Sequence, residues 1–212
     1  MARVITVAQQ KGGAGKTSLL LHLAVAWASG RRRVAVIDTD PQHSLSAWFA
    51  RRRARIGDQP RLVHRAAEGW KTASEIDRVR RAADVVLVDT PPHAETATRT
   101  AIRPADLVIV PMQPTPMDLW ATRQTLAMAA DERVPALLVL NRVPPRSRMA
   151  DDIRADLAEG DVPVTRAALG NRQLFASSLT AGHGVTEAAR RSRAAEEISA
   201  LADELWKRLK TL

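Results

Sequence analysis

Short, unbroken apolar runs alternate along this chain with longer stretches in which hydrophobic residues recur every three or four positions. The short runs are rich in β-branched residues or leucine and lack apolar–polar alternation, which is typical of strands buried on both faces of a parallel sheet. Weaker strands are predicted at Arg61–His64 and Pro163–Arg166. The five strong predicted strands are Val4–Ala8, Val34–Ile37, Val85–Val88, Leu107–Val110 and Ala136–Leu140.

The longer stretches are predicted helices. Their alternation with the strands indicates βαβ units and a single doubly wound, mostly parallel α/β sheet flanked by helices. Proline clusters follow three of the apolar runs and are expected to end those strands. Ligands of such sheets bind beyond the carboxyl ends of the strands, so functional residues are expected directly after each run. The predicted helices are Thr17–Ser29, Leu45–Arg55, Ala73–Ala82, Leu119–Ala130, Ala150–Ala158 and Thr186–Leu209.

The composition is that of a globular protein, with 45% hydrophobic residues, and the length suits one domain over residues 1–212. The absence of cysteine excludes a disulfide scaffold, a thiolate metal site and a catalytic cysteine. No apolar run approaches the roughly 20 residues that span a bilayer, and no signal peptide fits, so a cytoplasmic location is expected. The net charge of +9 favours a polyanionic partner, either nucleic acid or an acidic membrane surface.

A glycine-rich loop follows the first predicted strand and leads into the first predicted helix. Glycines let the backbone fold tightly so that its N–H groups face phosphate oxygens, and the helix start adds its positive dipole. Lys16 would reach the β- and γ-phosphates, and the Thr17 hydroxyl would bind Mg²⁺. The predicted nucleotide-binding loop comprises Lys11, Gly12, Gly13, Ala14, Gly15, Lys16, Thr17 and Ser18.

Carboxylates follow two of the predicted strands. Asp38 and Asp40 stand in an Asp-Thr-Asp-Pro-Gln segment after the run that ends at Ile37, and Asp89 directly follows Val85–Val88. Carboxylates beside a phosphate site can bind Mg²⁺ through its water shell or orient a nucleophilic water. For Asp38 and Asp40, an Asp-Pro turn with a helix cap is the alternative interpretation.

The loop differs from the general P-loop pattern, because Gln10 occupies its first glycine position and a second lysine, Lys11, precedes the glycines. This Lys-Gly-Gly-x-Gly-Lys-Thr run resembles the deviant Walker A motif of the ParA/MinD family of ATPases. The Gln-Gln lead-in looks more like ParA than MinD. The resemblance implies that Lys11 reaches the nucleotide of a partner subunit, so that the chain would form a homodimer only with ATP bound.

Further segments resemble the same family. The Asp-x-Asp-Pro-Gln segment is similar to its second signature, which implies that Asp38 lies near the catalytic magnesium and that Asp40 is tied to hydrolysis. The run that ends in Asp89 resembles its Walker B strand and switch II. An asparagine can read the adenine edge, because it carries both a donor and an acceptor. The resemblance therefore implies that Asn141, followed by Arg142, contacts the base; a plain strand-ending asparagine is the alternative.

The C-terminal part of the chain is rich in basic residues. Binding DNA without sequence preference requires cations that contact phosphates rather than side chains that read bases. The resemblance implies DNA contacts by Arg172, Arg191 and Arg193, and a solvated charged face is the alternative. The apolar stripe of the last predicted helix is expected to pack in the core, although its end could instead lie on a membrane, as in MinD.

The sequence thus predicts a short ParA-like ATPase without an operator-reading module, which uses ATP and Mg²⁺. It would bind DNA on the nucleoid as a dimer and leave after a ParB-like or cargo-adaptor protein stimulates hydrolysis. Such proteins segregate plasmid or chromosome DNA or position a protein cargo. The alternatives are a membrane-cycling MinD-like ATPase and a P-loop metabolic ligase. His22, Trp27, Trp48 and Trp70 are predicted to have only packing roles.

Overall fold

The structure is a computed structural model that describes residues 1–160 and 162–212. Its strands are β1 (Arg3–Val7), β2 (Val34–Asp38), β3 (Leu62–Ala66), β4 (Val85–Asp89), β5 (Leu107–Met112) and β6 (Ala136–Leu140). They form one sheet in the order β3-β2-β4-β1-β5-β6, and every neighbouring pair is parallel. The doubly wound parallel fold predicted from the apolar runs is confirmed.

Helices cover both faces of the sheet, which explains why the strands are apolar on both sides. The helices are α1 (Lys16–Ser29), α2 (Ser44–Ile56), α3 (Thr72–Arg80), α4 (Glu95–Ile102), α5 (Pro116–Asp131), α6 (Arg148–Glu159), α7 (Gln173–Thr180), α8 (Val185–Ala188) and α9 (Arg193–Leu209). One face of the sheet packs on α1 and α9, and the other packs on α3, α4, α5 and α6.

The apolar stripe of α9 is part of the core, as predicted. Ile198, Leu201, Leu205 and Leu209 are all buried, and they belong to the same cluster as α1. In this conformation the stripe is therefore not available to a bilayer. Nor does any helix among residues 1–160 and 162–212 have the length and hydrophobicity needed to cross a membrane.

Several predicted element boundaries are wrong. The stretch Thr186–Leu209 is two helices rather than one, because Ser192 caps α9 by accepting the Ala195 N–H at 3.2 Å. The predicted strand at Pro163–Arg166 is reduced to an isolated bridge between Val164 and Leu138. Helices α4 and α7 were not predicted, since their eight residues hold too few turns to show a helical period.

Pro111 does not end its strand, contrary to the prediction. It lies inside β5, opposite Val139 of β6, and the pairing of β5 with β1 stops at Ile109. The missing N–H of proline therefore breaks no bond between β1 and β5.

The residues predicted to have packing roles behave in two ways. His22, Trp27 and Trp48 are buried, as predicted. Trp70 is 74% exposed, and the Lys71 Nζ lies 4.6 Å from its ring centroid, so its predicted packing role is wrong. Nothing in the local apolar pattern distinguished this tryptophan from the buried ones.

Candidate functional site

The carboxyl ends of the central strands bring the predicted site together. The loop leaves β1 at Val7, which pairs with Asp89 at the end of β4, and Asp89 in turn pairs with Asp38 at the end of β2. Residues far apart in the sequence thus meet beside one loop. This agrees with the rule that parallel α/β sheets bind ligands at this edge.

Glycine is required within the loop for both backbone and packing reasons. Gly13 and Gly15 have φ values of 78° and 90°, a region that other residues adopt only with strain. A Cβ at Gly15 would also lie 2.5 Å from the Asn141 amide nitrogen. The α1 helix begins immediately afterwards, at Lys16, so its N-terminal N–H groups face the same site.

Lys16 is buried at the base of the loop. Its ammonium donates a hydrogen bond to the Gln9 carbonyl at 3.0 Å. Burial lowers the pKa of Lys16, and the charges of Asp89 and Asp40 oppose that shift. A desolvated cation surrounded by backbone N–H groups is well suited to bind a polyphosphate.

Asp89 is buried beside the start of α1. The Thr17 hydroxyl donates to its Oδ2 atom at 2.6 Å, while its Oδ1 atom has no hydrogen-bond partner among the described residues. Burial raises the pKa of Asp89 to about 7; Asp38 and Asp40 add to the rise, and the Thr17 hydrogen bond and Lys16 oppose it. A nearby cation would relieve this arrangement of neighbouring carboxylates.

Asp38 and Asp40 differ in their surroundings. Asp38 is fully buried, and its Oδ1 atom accepts the Asp40 N–H at 3.1 Å. Asp40 is half-buried, and its Oδ1 atom accepts the Gln42 N–H at 2.9 Å. The Asp-x-Asp spacing therefore places one carboxylate inside the sheet edge and the other closer to solvent.

The oxygen atoms of this site fit Mg²⁺. Magnesium prefers hard oxygen ligands and usually keeps several waters, so a hydroxyl and one unpartnered carboxylate oxygen are sufficient protein partners. Thr17 and Asp89 supply these groups. In the described part of the chain, no cluster of three or more His, Cys, Asp or Glu residues could hold a metal ion by itself.

Asn141 and Arg142 lie directly under the loop. The Asn141 side chain donates to the Ala14 carbonyl at 2.9 Å and accepts the Arg142 N–H, and the Arg142 guanidinium donates to the Gly13 carbonyl at 3.1 Å. Both residues line a cavity of about 300 Å³ that continues to Ser18 and to the segment 169–173. Contact of Asn141 and Arg142 with a base stays a prediction, and the sequence did not indicate that segment 169–173 lines the same cavity.

Lys11 lies at the outer side of the loop. Its ammonium is 2.7 Å from Asp118 Oδ2, and the side chains of Lys11 and Asp118 are 38% and 2% exposed. Thr115 caps α5 and also donates to Asp118, whose Oδ1 atom has no hydrogen-bond partner among residues 1–160 and 162–212. The first turn of α5 thus supplies the buried carboxylate that holds this second lysine.

The Gln-Gln lead-in anchors the loop to two helices. The Gln9 amide donates to Thr122 at 2.9 Å and accepts from Thr125, and the Gln10 amide donates to Thr98 at 3.3 Å. Both glutamines are buried. The sequence pattern linked these two glutamines to ParA but did not predict their side-chain contacts. Their position between a buried strand and a loop is the signal that could have indicated buried hydrogen-bonding side chains.

The three arginines predicted to contact DNA lie in different settings. Arg191 and Arg193 are exposed on either side of the α9 cap. The Arg172 guanidinium forms an ion pair with Glu197 and lines the cavity beside Asn141. Arg172 and Arg193 share a concave surface with Arg146. Their contact with DNA stays a prediction.

The fold and site together define a class of protein: a P-loop nucleotide-binding domain whose glycine loop carries two lysines. Residues 5–185 match the family model of the CobQ/CobB/MinD/ParA nucleotide binding domain, and the chain belongs to this family. The match covers the loop, all three carboxylates and Asn141.

Individual relatives agree with that assignment. The chain is 29% identical over 211 residues to the maintenance of carboxysome distribution protein A of Halothiobacillus neapolitanus, covering 96% of each chain. It is 30% identical over 191 residues to protein ParA of Rhizobium radiobacter, covering 84% of this chain and 83% of that one. The septum site-determining protein MinD of Pyrococcus horikoshii, solved with Mg-ADP, has a TM-score of 0.82 and 21% identity, with 97% of this chain and 96% of that chain covered.

Proposed function

We propose that this chain is a ParA-type ATPase that binds ATP with Mg²⁺, dimerises in the ATP-bound state and then binds DNA without sequence preference. A partner protein stimulates hydrolysis and the dimer dissociates from DNA, so that the cycle segregates DNA or positions a protein cargo. The observation that carries this proposal is the different placement of the two lysines of one loop. Lys16 is buried inside the site, and Lys11 lies at its outer side.

The two placements support two different tasks. Lys16 is surrounded by its own loop and by the carboxylates of the sheet edge, so its charge serves phosphates bound within the same subunit. Lys11 reaches away from that site, and within the described part of the chain its ion-pair partner is Asp118 at the start of α5. A half-exposed cation on a flexible stem can leave such a pair and contact an anion on another molecule. A second ATP-loaded copy carries that anion.

The other residues of the site support nucleotide hydrolysis. The Thr17 hydroxyl and Asp89 would hold Mg²⁺, whose chemistry in such sites is neutralisation of phosphate charge. Asp40 is half-buried beside them and is our candidate for orienting the attacking water. Lys11 and Lys16 would stabilise the charge that develops on the phosphates. Asn141, Arg142 and Ser18 line the cavity assigned to the base.

DNA binding is supported by charge rather than by a defined groove. The chain has a net charge of +9, and Arg191 and Arg193 are exposed at the start of α9. Dimerisation would double the number of phosphate contacts, and the affinity for DNA would then depend steeply on salt. The relatives named for carboxysome distribution and as ParA support a role in positioning cargo or DNA. The burial of the α9 stripe disfavours the membrane-cycling alternative.

The test separates the two lysines. With a non-hydrolysable ATP analogue and Mg²⁺, light scattering after size exclusion should show a dimer for the wild-type chain. Lys11→Ala should bind the analogue within a few-fold of wild type by calorimetry and stay monomeric. Lys16→Ala should bind the analogue at least tenfold more weakly, since a charged hydrogen bond contributes about 1.5–3 kcal/mol.

Lys71→Ala is the matched control, because Lys71 is an exposed lysine that pairs with Glu68 rather than with the loop or α5. It should change neither measurement. A wild-type chain that stays monomeric when saturated with the analogue would contradict the proposal. DNA binding is measured in the same state by electrophoretic shift: Arg191→Glu with Arg193→Glu should lose the shifted complex while the dimer persists.

A further inference from the structure

The buried carboxylate of Asp38 is held from outside the glycine loop. Its Oδ2 atom accepts two hydrogen bonds from Ser46 in the first turn of α2, one from the backbone N–H at 2.9 Å and one from the hydroxyl at 2.6 Å. Both oxygens of Asp38 are thus occupied, because Oδ1 accepts the Asp40 N–H. The carboxylate therefore has one defined orientation at the end of β2.

The Ser46 hydroxyl has a further partner. His64 Nε2, on the edge strand β3, lies 3.0 Å from the Ser46 Oγ atom. A hydroxyl has one hydrogen, and here it points to Asp38, so the Ser46 oxygen must accept a hydrogen from His64. This assigns the hydrogen of the imidazole to Nε2. The result is a directed chain of donors from His64 to Ser46 to Asp38.

The imidazole itself is held in place by packing. Its ring stacks on Phe49 of α2, with centroids 4.7 Å apart and planes inclined by 18°. His64 also pairs through its backbone with Val36, in the strand that ends at Asp38. The donor chain therefore starts from a ring that one helix and one strand both fix.

We infer that His64 and Ser46 are positioning residues for the magnesium side of the site, which rests on the proposed function of Asp38. Asp38 lies opposite Asp89 in the strand register, and the two carboxylates repel each other. Donors that bond to both oxygens of Asp38 keep its carboxylate directed at that edge. Groups that orient metal-side ligands through hydrogen bonds typically change metal affinity or activity by 10–100-fold when removed.

The experiment measures the Mg²⁺ concentration that half-saturates binding of a fluorescent, non-hydrolysable ATP analogue. His64→Phe keeps an aromatic ring against Phe49 but removes the donor, and it should raise this midpoint about tenfold. His64→Gln places an amide N–H near the position of Nε2, and it should stay within about twofold of wild type. Ser46→Ala interrupts the same chain from α2 and should also raise the midpoint, which keeps the test valid if His64→Phe misfolds.

Two further variants separate the possible failures. Asp38→Asn should raise the midpoint, and adding His64→Phe to it should cause no further rise, since the chain acts through Asp38. If Asp38→Asn shifts the midpoint but His64→Phe and Ser46→Ala do not, the inference is wrong and the role of Asp38 stands. Equal shifts in His64→Phe and His64→Gln would show that restoring an N–H donor near Nε2 has no effect, which would also overturn the inference. If Asp38→Asn leaves the Mg²⁺ midpoint unchanged, Asp38 has no role on the magnesium side of the site, and the inference is wrong as well.

Discussion

The two halves of the glycine loop are held by different parts of the molecule. The inner half, residues 14–17, is tied to the sheet: Asn141 at the end of β6 holds the Ala14 carbonyl, and Asp89 at the end of β4 accepts the Thr17 hydroxyl. The outer half, residues 9–13, is tied mainly to helices, since the buried glutamines bond to threonines of α4 and α5. It also contacts the sheet side, because the Gln9 amide donates to the Pro111 carbonyl of β5 at 3.3 Å and Arg142 donates to the Gly13 carbonyl. Lys11 adds a further contact to α5 through Asp118.

This difference fits the proposal that one loop serves two subunits. The sheet is a packed core and resists displacement, so the inner half presents a fixed site to its own nucleotide. A helix can shift on a sheet by small sliding movements, and α5 carries Met117 and Trp120 exposed beside Asp118. A shift of α5 would then move Lys11 while Lys16 stays in place.

The largest expected effect concerns the inner half, at Gly15. Gly15→Ala should lower the free energy of unfolding by about 4 kcal/mol, because left-handed backbone strain of about 1–2 kcal/mol adds to displacement of the Asn141 amide from its hydrogen bonds. Urea unfolding without nucleotide measures this loss of unfolding free energy.

Gly13→Ala is the matched control, since Gly13 also has a positive φ but a Cβ there would meet nothing within 4 Å. It should cost only about 1 kcal/mol. Equal losses in the two variants would show that Asn141 does not brace the loop.

The second effect is a pH dependence of stability that arises in α1. His22 accepts the Val185 N–H at Nδ1 and donates from Nε2 to the Phe175 carbonyl, so the folded protein needs the neutral ring. Burial lowers the pKa of His22 from its ordinary value of 6.5 to about 4. The unfolded chain therefore binds more protons than the folded chain between these values. The stabilisation is complete above pH 6.5 and is lost as the pH falls towards 4, by about 3 kcal/mol in total.

Urea unfolding at pH 7.5 and pH 4.5 measures this loss. His22→Gln removes the titrating group and keeps an amide donor, so its stability should fall less between these two pH values than that of the wild type. A wild-type chain and a variant with the same pH dependence would assign the acid sensitivity to other groups. His22 lies on α1 and lines the cavity beside the inner half of the loop, so this pH dependence concerns the inner half rather than the outer half.

The sequence predicted the inner half of the loop far better than the outer half. Buried parallel strands appear as apolar runs, and Lys16, Thr17 and the strand-ending carboxylates follow from motif spacing. The bonds from Gln9 to Thr122 and Thr125 join residues more than 110 positions apart. Such pairings depend on how α5 packs on the sheet, and a single sequence does not contain that geometry. The same holds for His64, which a strand-level prediction placed on β3 without indicating its contact with Ser46.

A smaller effect is expected at the outer half, from Thr122→Val. The Thr122 hydroxyl accepts from Gln9 and donates to the Asp118 carbonyl at 2.7 Å, so valine leaves a buried amide poorly satisfied. The free energy of unfolding should fall by about 1–2 kcal/mol. Dimerisation with the ATP analogue should weaken, while the affinity of the monomer for the analogue should stay within twofold of wild type.

Thr100→Val is the matched control, because that exposed hydroxyl makes the same bond to a carbonyl four residues earlier. Its effect should stay within about 0.5 kcal/mol. Weaker analogue binding by the Thr122→Val monomer would show that the two halves do not act separately.

The smallest expected effect tests the contact that holds Lys11 in the free subunit. Asp118→Asn keeps the shape of the side chain and removes its charge, so Lys11 loses the ionic partner that it has among the described residues of its own chain. Half-exposed ion pairs contribute about 1 kcal/mol. The dissociation constant of the dimer formed with a non-hydrolysable ATP analogue should therefore fall about fivefold in sedimentation equilibrium.

Asp131→Asn is the control on the same helix, because Asp131 pairs with Arg99 at 3.0 Å on the exposed side. This variant should leave the dimer unchanged. A weaker dimer in Asp118→Asn would instead mean that Asp118 orients Lys11 for the partner's nucleotide, and the pair would then be part of the dimer contact rather than a competitor of it.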